Sequence, residues 1–205
     1  RRQRQMCIRD RYTFIVNPNA KTGLGYQVWS SLEAILKEKN VNYQVFFTKY
    51  QKHATRLAQK LTQESGAKTL IVLGGDGTIN EVINGIEDLD GTVLGYIPIG
   101  SSNDFARGMG LSTDPVQALK HILSPERFTY INIGTAMYAG KTRRFAVSSG
   151  LGFDAGVCHQ VYVSKLKKLL NKLHLGKLSY AAVALQQILT MTPVSYTHLR
   201  AHETA

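Results

Sequence analysis

Between Thr69 and Ile86 the chain reads TLIVLGGDGTINEVINGI. One carboxylate, Asp76, stands among Gly74, Gly75 and Gly77, with the hydroxyl of Thr78 next in line. An apolar run leads in. A helical spacing leads out, with Ile79, Val82, Ile83 and Ile86 at i, i+3, i+4 and i+7. Glycines permit φ > 0 and let the backbone approach a ligand closely. The helix that follows offers unpaired N–H groups and a positive dipole end. Together these suit a phosphate. A bare phosphate would repel Asp76, which fits instead as a ligand to phosphate-bound Mg²⁺ or as an acceptor from a hydroxyl. Thr78 is the expected N-cap, with Glu81 at N3 completing a capping box. The bland alternative is a tight strand-to-helix turn capped by Thr78 with no ligand at all. No Gly-Lys-Ser/Thr follows, and the G-x-G-x-x-G spacing is absent, so neither common nucleotide loop is present.

Two further loops have matching chemistry: NPNAKTG from Asn17, and IGSSND ending at Asp104. The elements that position them follow from periodicity. A strand is expected over Tyr12–Pro18, a helix over Tyr26–Lys39 and a strand over Tyr43–Thr48. A helix over His53–Glu64, the strand TLIVLG, a helix from Thr78 and a strand over Thr92–Ile97 come next. NDFARGMG and DPVQALKHIL read as short helices, the second with Asp114 as N-cap and Pro115 at N1. Strands alternating with helices predict an α/β fold with a parallel sheet covered on both faces. Ligands then bind at the carboxyl ends of the strands, where all three loops fall. From about Arg127 the grammar changes. TYINIGTAMY and RRFAVSSG read as a hairpin joined by AGKT, so a domain boundary is expected near Pro125. Helical stretches are expected at about Gly156–Leu173 and Lys177–Met191.

A chain of 205 residues with 43% hydrophobic content has enough material for one large domain or two small ones. Its net charge is +11, of which the first eleven residues carry +4 and the last eleven none. The basic remainder suits an anionic nucleotide or an anionic membrane surface. Lys and Arg form no stripe with interleaved aromatics, which argues against nucleic acid. Cys7 and Cys158 are too few and too far apart for a disulfide framework or zinc site, and a cytoplasmic setting is expected. Residues 1–11 and 195–205 lack periodicity and resemble translated sequencing-adapter read-through, so native sequence is expected from about Tyr12 to Val194. His198 and His202, although spaced like helical metal ligands, are expected to carry no function.

The segments FIVNPNAKTG, FFTKYQKHA, LGGDGTINEVINGI, IPIGSSNDFARGMGL and FAVSSGLGFDAGV, in this order, resemble the catalytic domain of the diacylglycerol kinase family. The likeness is greatest to the soluble bacterial lipid kinases. The glycine–aspartate loop is shared with NAD kinases and sphingosine kinases, whereas GSSNDFAR favours lipid kinases. The resemblance implies ATP-dependent phosphorylation of a lipid hydroxyl, with diacylglycerol as the best-matched acceptor. It implies a phosphofructokinase-like nucleotide-binding domain over residues 12–125, and the beginning of a β-sandwich domain over 126–194. Asn17, Pro18, Asn19, Ala20 and Lys21 match the first nucleotide loop. Thr48 matches a threonine near the nucleotide. Gly74, Gly75, Asp76, Gly77, Thr78, Asn80 and Glu81 match the phosphate loop, with Asp76 the candidate for ATP-bound Mg²⁺. Ser101 stands where threonine is common and keeps the hydroxyl. Lys21 replaces a small residue and reaches either a phosphate or solvent. Asn103 and Asp104 match the lipid-kinase motif, and serve equally well as a cap for a helix from Phe105.

The family places its general base, and ligands of a structural Mg²⁺, in an Asp-Gly-Glu-like motif late in the second domain. No such motif follows Asp154 here. The expectation is therefore an ATP-binding chain without its base. A sphingoid-base or NAD kinase is the alternative among enzymes, and a non-catalytic nucleotide-binding protein is the alternative outside them. SKLKKLLNKLHLGKLSYAAVALQQIL sets Lys165, Lys167, Lys168, Lys172 and Lys177 among leucines. It is either a helix pair with solvated lysines or a peripheral contact with the inner membrane face.

Overall fold

The computed structural model describes residues 11–63 and 69–147, together with Leu185. Four parallel strands form one sheet: β1 (Tyr12–Val16), β2 (Tyr43–Phe47), β3 (Thr69–Gly74) and β4 (Val93–Pro98), in the order β2-β1-β3-β4. The helices are α1 (Ala20–Glu38), α2 (His53–Gln63), α3 (Asp76–Gly85), α4 (Asp104–Gly108) and α5 (Pro115–Leu123). An antiparallel pair follows, β5 (Gly134–Tyr138) and β6 (Lys141–Phe145).

Successive strand residues face opposite sides of a sheet, so two apolar sets are needed to cover it. Both are present. On one face Ile15, Leu70, Val72 and Tyr96 pack with Ala54, Ala58 and Leu61 of α2 and with Ile79, Val82 and Ile83 of α3. On the other, Phe14, Val16, Ile71, Leu73 and Ile97 pack with Trp29, Leu32 and Leu36 of α1 and with Ala118 and Leu119 of α5. The Phe14 and Trp29 rings meet edge-to-face at 5.0 Å. Each such buried side chain contributes ~1.5–3 kcal/mol, which fixes the sheet firmly enough to hold loops at its edge.

Strand order turns at β1. The chain leaves β1 for β2 on one side, then returns past β1 to β3 on the other. The crevice between the β1 and β3 loops is where a doubly wound sheet opens to a ligand.

Regular α1 begins only after a left-handed run at Lys21, Thr22 and Gly23 (φ 48, 61 and 97), close to the expected start at Tyr26. Other expectations are revised. The hairpin strands are shorter than TYINIGTAMY and RRFAVSSG imply, and their turn is the two residues Ala139 and Gly140, with φ of 46 and 71. Two residues at positive φ match the right-handed twist of hairpin strands. Lys141 and Thr142, read as part of the turn, belong to β6. A first compact unit runs to Ser148 and a second begins at Ser149. Arg144 of β6 explains why the hairpin stays with the first unit. Its backbone N–H donates to Asn84 Oδ1 at 2.8 Å, and its guanidinium donates to the carbonyls of Ile83 and Ile86 at the end of α3. The stretches 156–173 and, Leu185 apart, 177–191, together with both cysteines, Asp154, His198 and His202, lie outside the described residues.

Candidate functional site

At the carboxyl edge of the sheet each strand's ladder runs one residue into the loop. Thr48 N–H donates to Val16 O at 2.8 Å, Asn17 N–H to Leu73 O at 2.9 Å, and Ile99 N–H to Gly74 O at 2.9 Å. The first residues of all these loops are thus part of the rigid sheet. Asn17 then spends its side chain on both neighbours. Its Oδ1 accepts from Asn19 N–H at 3.1 Å, and its Nδ2 donates to Thr78 Oγ1 at 3.0 Å across the switch point.

The phosphate-type loop differs in detail from its sequence reading. Helix α3 starts at Asp76 with Gly75 as N-cap, three residues before the expected cap. Thr78 lies inside the first turn, 7% exposed, as acceptor for Asn17. No capping box forms. Instead Glu81 Oε1 accepts from Lys52 N–H at 2.9 Å, and Glu81 O accepts from Thr55 Oγ1 at 2.9 Å. Glu81 therefore ties the β2–α2 loop to α3. Gly74, Gly75 and Gly77 are not among the residues with positive φ. Close approach accounts for Gly75: a Cβ there would lie 3.1 Å from the Cα of Gly100, so the β3 and β4 loops touch backbone to backbone. Gly77 is different. A Cβ there would meet nothing within 4 Å.

Asp76 Oδ1 accepts from Phe105 N–H at 3.1 Å, so this carboxylate caps α4 from another helix. Asn103, at the N-cap position, does not cap with its side chain. It sits at φ 54 and its Oδ1 accepts from Gly100 N–H at 2.7 Å, closing the β4 loop. Tyr96 donates to Gly74 O at 3.2 Å from the core. Burial, and secondarily the nearby charge of Asp76, push its hydroxyl pKa well above the ordinary value, so it remains a donor.

These loops enclose a cleft of about 420 Å³. It is lined by Asn17, Asn19, Ala20, Lys21, Thr48, Gly75, Gly77, Thr78 and Glu81, all named from the sequence, and by Lys49, Tyr50, Gln51 and Gly100, which were not. The missing signal was available: KYQ follows the end of β2, the same edge that carries the other loops. Pro18, Gly74, Asp76, Asn80, Ser101, Asn103 and Asp104 are not on the cleft wall. Pro18 O accepts from Tyr26 N–H, Gly74 ends β3, and Asn80 O accepts from Asn84 Nδ2. Ser101 and Asp104 are exposed. Among the described residues no group of three or more His, Cys, Asp or Glu converges to hold a metal, and no helix is long and apolar enough to cross a membrane. A divalent ion here would rest on one carboxylate and a ligand's own phosphates, which is how Mg²⁺ is commonly held. Asp76 lies off the cleft wall with its Oδ1 bonded to Phe105 N–H, whereas Glu81 is a carboxylate on that wall.

Residues 11–135 match the family model described as the diacylglycerol kinase catalytic domain. The chain is 34% identical over 186 residues to "Putative lipid kinase YtlR" of Bacillus subtilis (strain 168), covering 88% of this chain and 60% of that protein. It is 34% identical over 128 residues to a diacylglycerol kinase of Staphylococcus saprophyticus, covering 62% of this chain and 41% of that protein. A solved structure of a diacylglycerol kinase from Bacillus anthracis str. Sterne aligns with a TM-score of 0.52 at 29% identity, covering 65% of this chain and 47% of that one. The chain thus spans about 60% of the length of YtlR and less of the others. A parallel four-stranded sheet with a glycine-lined cleft at its switch point, matched by the family model over well over half the chain, shows that this protein belongs to the diacylglycerol kinase catalytic domain family.

Proposed function

We propose that this chain carries the ATP-binding part of a lipid kinase, which transfers the γ-phosphoryl group of ATP to a lipid hydroxyl, diacylglycerol being the acceptor that the relatives' names favour. The observation that carries the reading is Gly77. In a helix interior glycine costs ~1 kcal/mol relative to alanine. Nothing within 4 Å would meet a Cβ at Gly77, yet it lines the cleft. A bare backbone at the first turn of a helix, facing a cleft, fits a phosphate that comes close to the N–H groups.

The α3 first turn and Asn17 hold phosphates at the switch point, and Thr48 and Lys49 close the opposite wall. Mg²⁺, when bound, would neutralise phosphate charge, with Asp76 or Glu81 as its carboxylate. Asp76 also holds α4, and with it the GSSNDFAR loop, against the phosphate loop. Phosphoryl transfer rests on positioning and charge stabilisation, but the attacking hydroxyl still needs a proton acceptor. The Asp-Gly-Glu-like motif that the resemblance calls for is missing after Asp154. On this reading the 205-residue chain binds Mg·ATP and transfers phosphate poorly, since a missing base costs ~10²–10⁴-fold. Calorimetric titration with Mg·ATP tests the first statement. A radiolabelled-ATP assay on diacylglycerol micelles tests the second. Absence of Mg·ATP binding would overturn the reading. Transfer to sphingosine or NAD in preference to diacylglycerol would move the acceptor.

A further inference from the structure

Tyr50 is a large aromatic side chain that neither apolar core uses. It is 53% exposed and lines the cleft. The loop that presents it is pinned at nearly every residue. Thr48 is bonded to β1, and Lys49 N–H donates to His53 Nδ1 at 3.0 Å. His53 N–H donates to Tyr50 O at 3.1 Å, and Lys52 N–H donates to Glu81 at 2.9 Å. Lys52 takes φ 67 to make this turn, a conformation that a non-glycine residue adopts only when its surroundings hold it. The ring is fixed as well. It stacks on His53 with centroids 4.6 Å apart and planes 25° from parallel, and its hydroxyl accepts from the Arg56 guanidinium at 3.2 Å.

An exposed tyrosine held this firmly loses little freedom when a ligand arrives, which is the general advantage of a preorganised contact. With its hydroxyl engaged by Arg56, what it offers the cleft is ring surface. Its position is informative too. The β2 loop lies two strands from the β3 loop, about 10 Å at the usual ~4.8 Å strand spacing. A ligand with phosphates on Gly75, Gly77 and Thr78 would therefore reach Tyr50 with a group some way along its length. An aromatic base joined to phosphates through a sugar is such a group.

We infer that Tyr50 is the stacking platform for the nucleobase of the bound nucleotide, with His53 and Arg56 as the residues that position its ring. The inference rests on the nucleotide reading of the cleft. The test uses the 205-residue chain and two probes, Mg·ATP and Mg·tripolyphosphate, the second having phosphates but no base. Tyr50→Ala should weaken ATP about 5- to 100-fold, the range seen when an aromatic platform under a base is removed, and leave tripolyphosphate within about twofold. Tyr50→Phe, which keeps the ring, should stay within about threefold of wild type on both. Tyr50→Leu, apolar but not aromatic, should behave like the alanine variant. Unchanged ATP affinity in Tyr50→Ala would overturn the inference and leave the nucleotide reading intact. An equal loss on both probes would overturn it in favour of a structural role for the loop. Failure of the wild-type chain to bind either probe would remove the nucleotide reading and this inference with it.

Discussion

The carboxylate of Asp76 accepts a hydrogen bond from the backbone N–H of Phe105 at 3.1 Å, joining the first residue of α3 to the second residue of α4. The residue that sequence reasoning assigned to a metal thus also holds two strand-end loops together. Beside it the Gly75 and Gly100 backbones touch, and Asn103 folds back on Gly100. The two loops form one assembly, so a change at Asp76 will act on the fold as well as on a ligand.

Replacing Asp76 by Ala removes the cap of α4 and should cost ~0.5–2 kcal/mol. Asp76→Asn retains an acceptor oxygen and should recover most of that loss. Both variants lose the negative charge, so both should bind Mg·ATP at least about tenfold more weakly, the scale of a charge-assisted contact. Urea denaturation and calorimetry on the same samples separate the two roles. Equal stability of the Ala and Asn variants would show that Phe105 does not depend on this carboxylate.

Thr78→Val keeps the shape of a buried side chain and deletes the acceptor for Asn17 Nδ2. The expected cost is ~1–2 kcal/mol, since a half-buried amide is left without its partner. Thr78→Ser should lie closer to wild type. The chemical-denaturation midpoint checks both.

Asn84 exchanges two hydrogen bonds with the backbone of Arg144, donating to its carbonyl at 2.9 Å and accepting from its N–H at 2.8 Å. Asn84→Ala should loosen the hairpin before it loosens the sheet. Native-state hydrogen exchange should quicken across Gly134–Phe145 while the amides of β3 stay protected. Uniform acceleration in both would mean that the hairpin and sheet open together.

Two tyrosines give the fold an alkaline limit. Tyr96 is raised above its ordinary 10.0 chiefly by burial, with Asp76 adding to it, and Tyr43 is raised by burial and then by its bond to Glu33. A folded-state pKa above the unfolded one contributes stability that is fully present below the unfolded value. That contribution declines as pH rises from about 10 through the folded value. Stability should therefore be flat in this respect below pH 10 and fall above it. Tyr96→Phe should flatten that decline, at the expense of one hydrogen bond to Gly74 worth ~0.5–1.5 kcal/mol. A Tyr96→Phe variant with the wild-type alkaline profile would place the titration elsewhere.

The sheet was legible because strands buried on both faces read as apolar runs. Phe14–Val16 and Leu70–Leu73 have no other plausible use. The cap of α5 was legible for a local reason: Asp114 Oδ1 accepts from Gln117 N–H at 2.8 Å, three residues away. What failed was capping settled by tertiary contacts. Thr78 has the type and spacing of an N-cap, but Asn17, 61 positions away, claims its hydroxyl. Glu81 has the spacing of a capping box and serves Lys52 instead. The hairpin turn was misplaced because Ala139 at φ 46 carries none of the Asn or Gly signal that marks such a turn. Tyr50 was passed over because a single tyrosine in a polar loop has no pattern, and its significance lies in which wall the β2 edge forms.

Gly77 offers the sharpest separation of stability from function. Gly75→Ala should destabilise, because its Cβ would press on the backbone of Gly100 at 3.1 Å, and backbone has no room to yield cheaply. Gly77→Ala meets no neighbour within 4 Å and lies within α3. Alanine is favoured over glycine in a helix by up to ~1 kcal/mol, less near an end, so the melting temperature should hold or rise by ~1–3 °C. If the cleft takes a phosphate against the first turn of α3, the new methyl group stands where the ligand must come. Mg·ATP binding should then weaken at least about tenfold in a protein that is no less stable. Loss of binding together with loss of stability would say nothing of a ligand, so the two must be measured side by side, by calorimetry and by thermal unfolding. A Gly77→Ala chain as stable as wild type, and equally tight on Mg·ATP, would take the phosphates away from this turn and remove the main support for the nucleotide reading of the cleft.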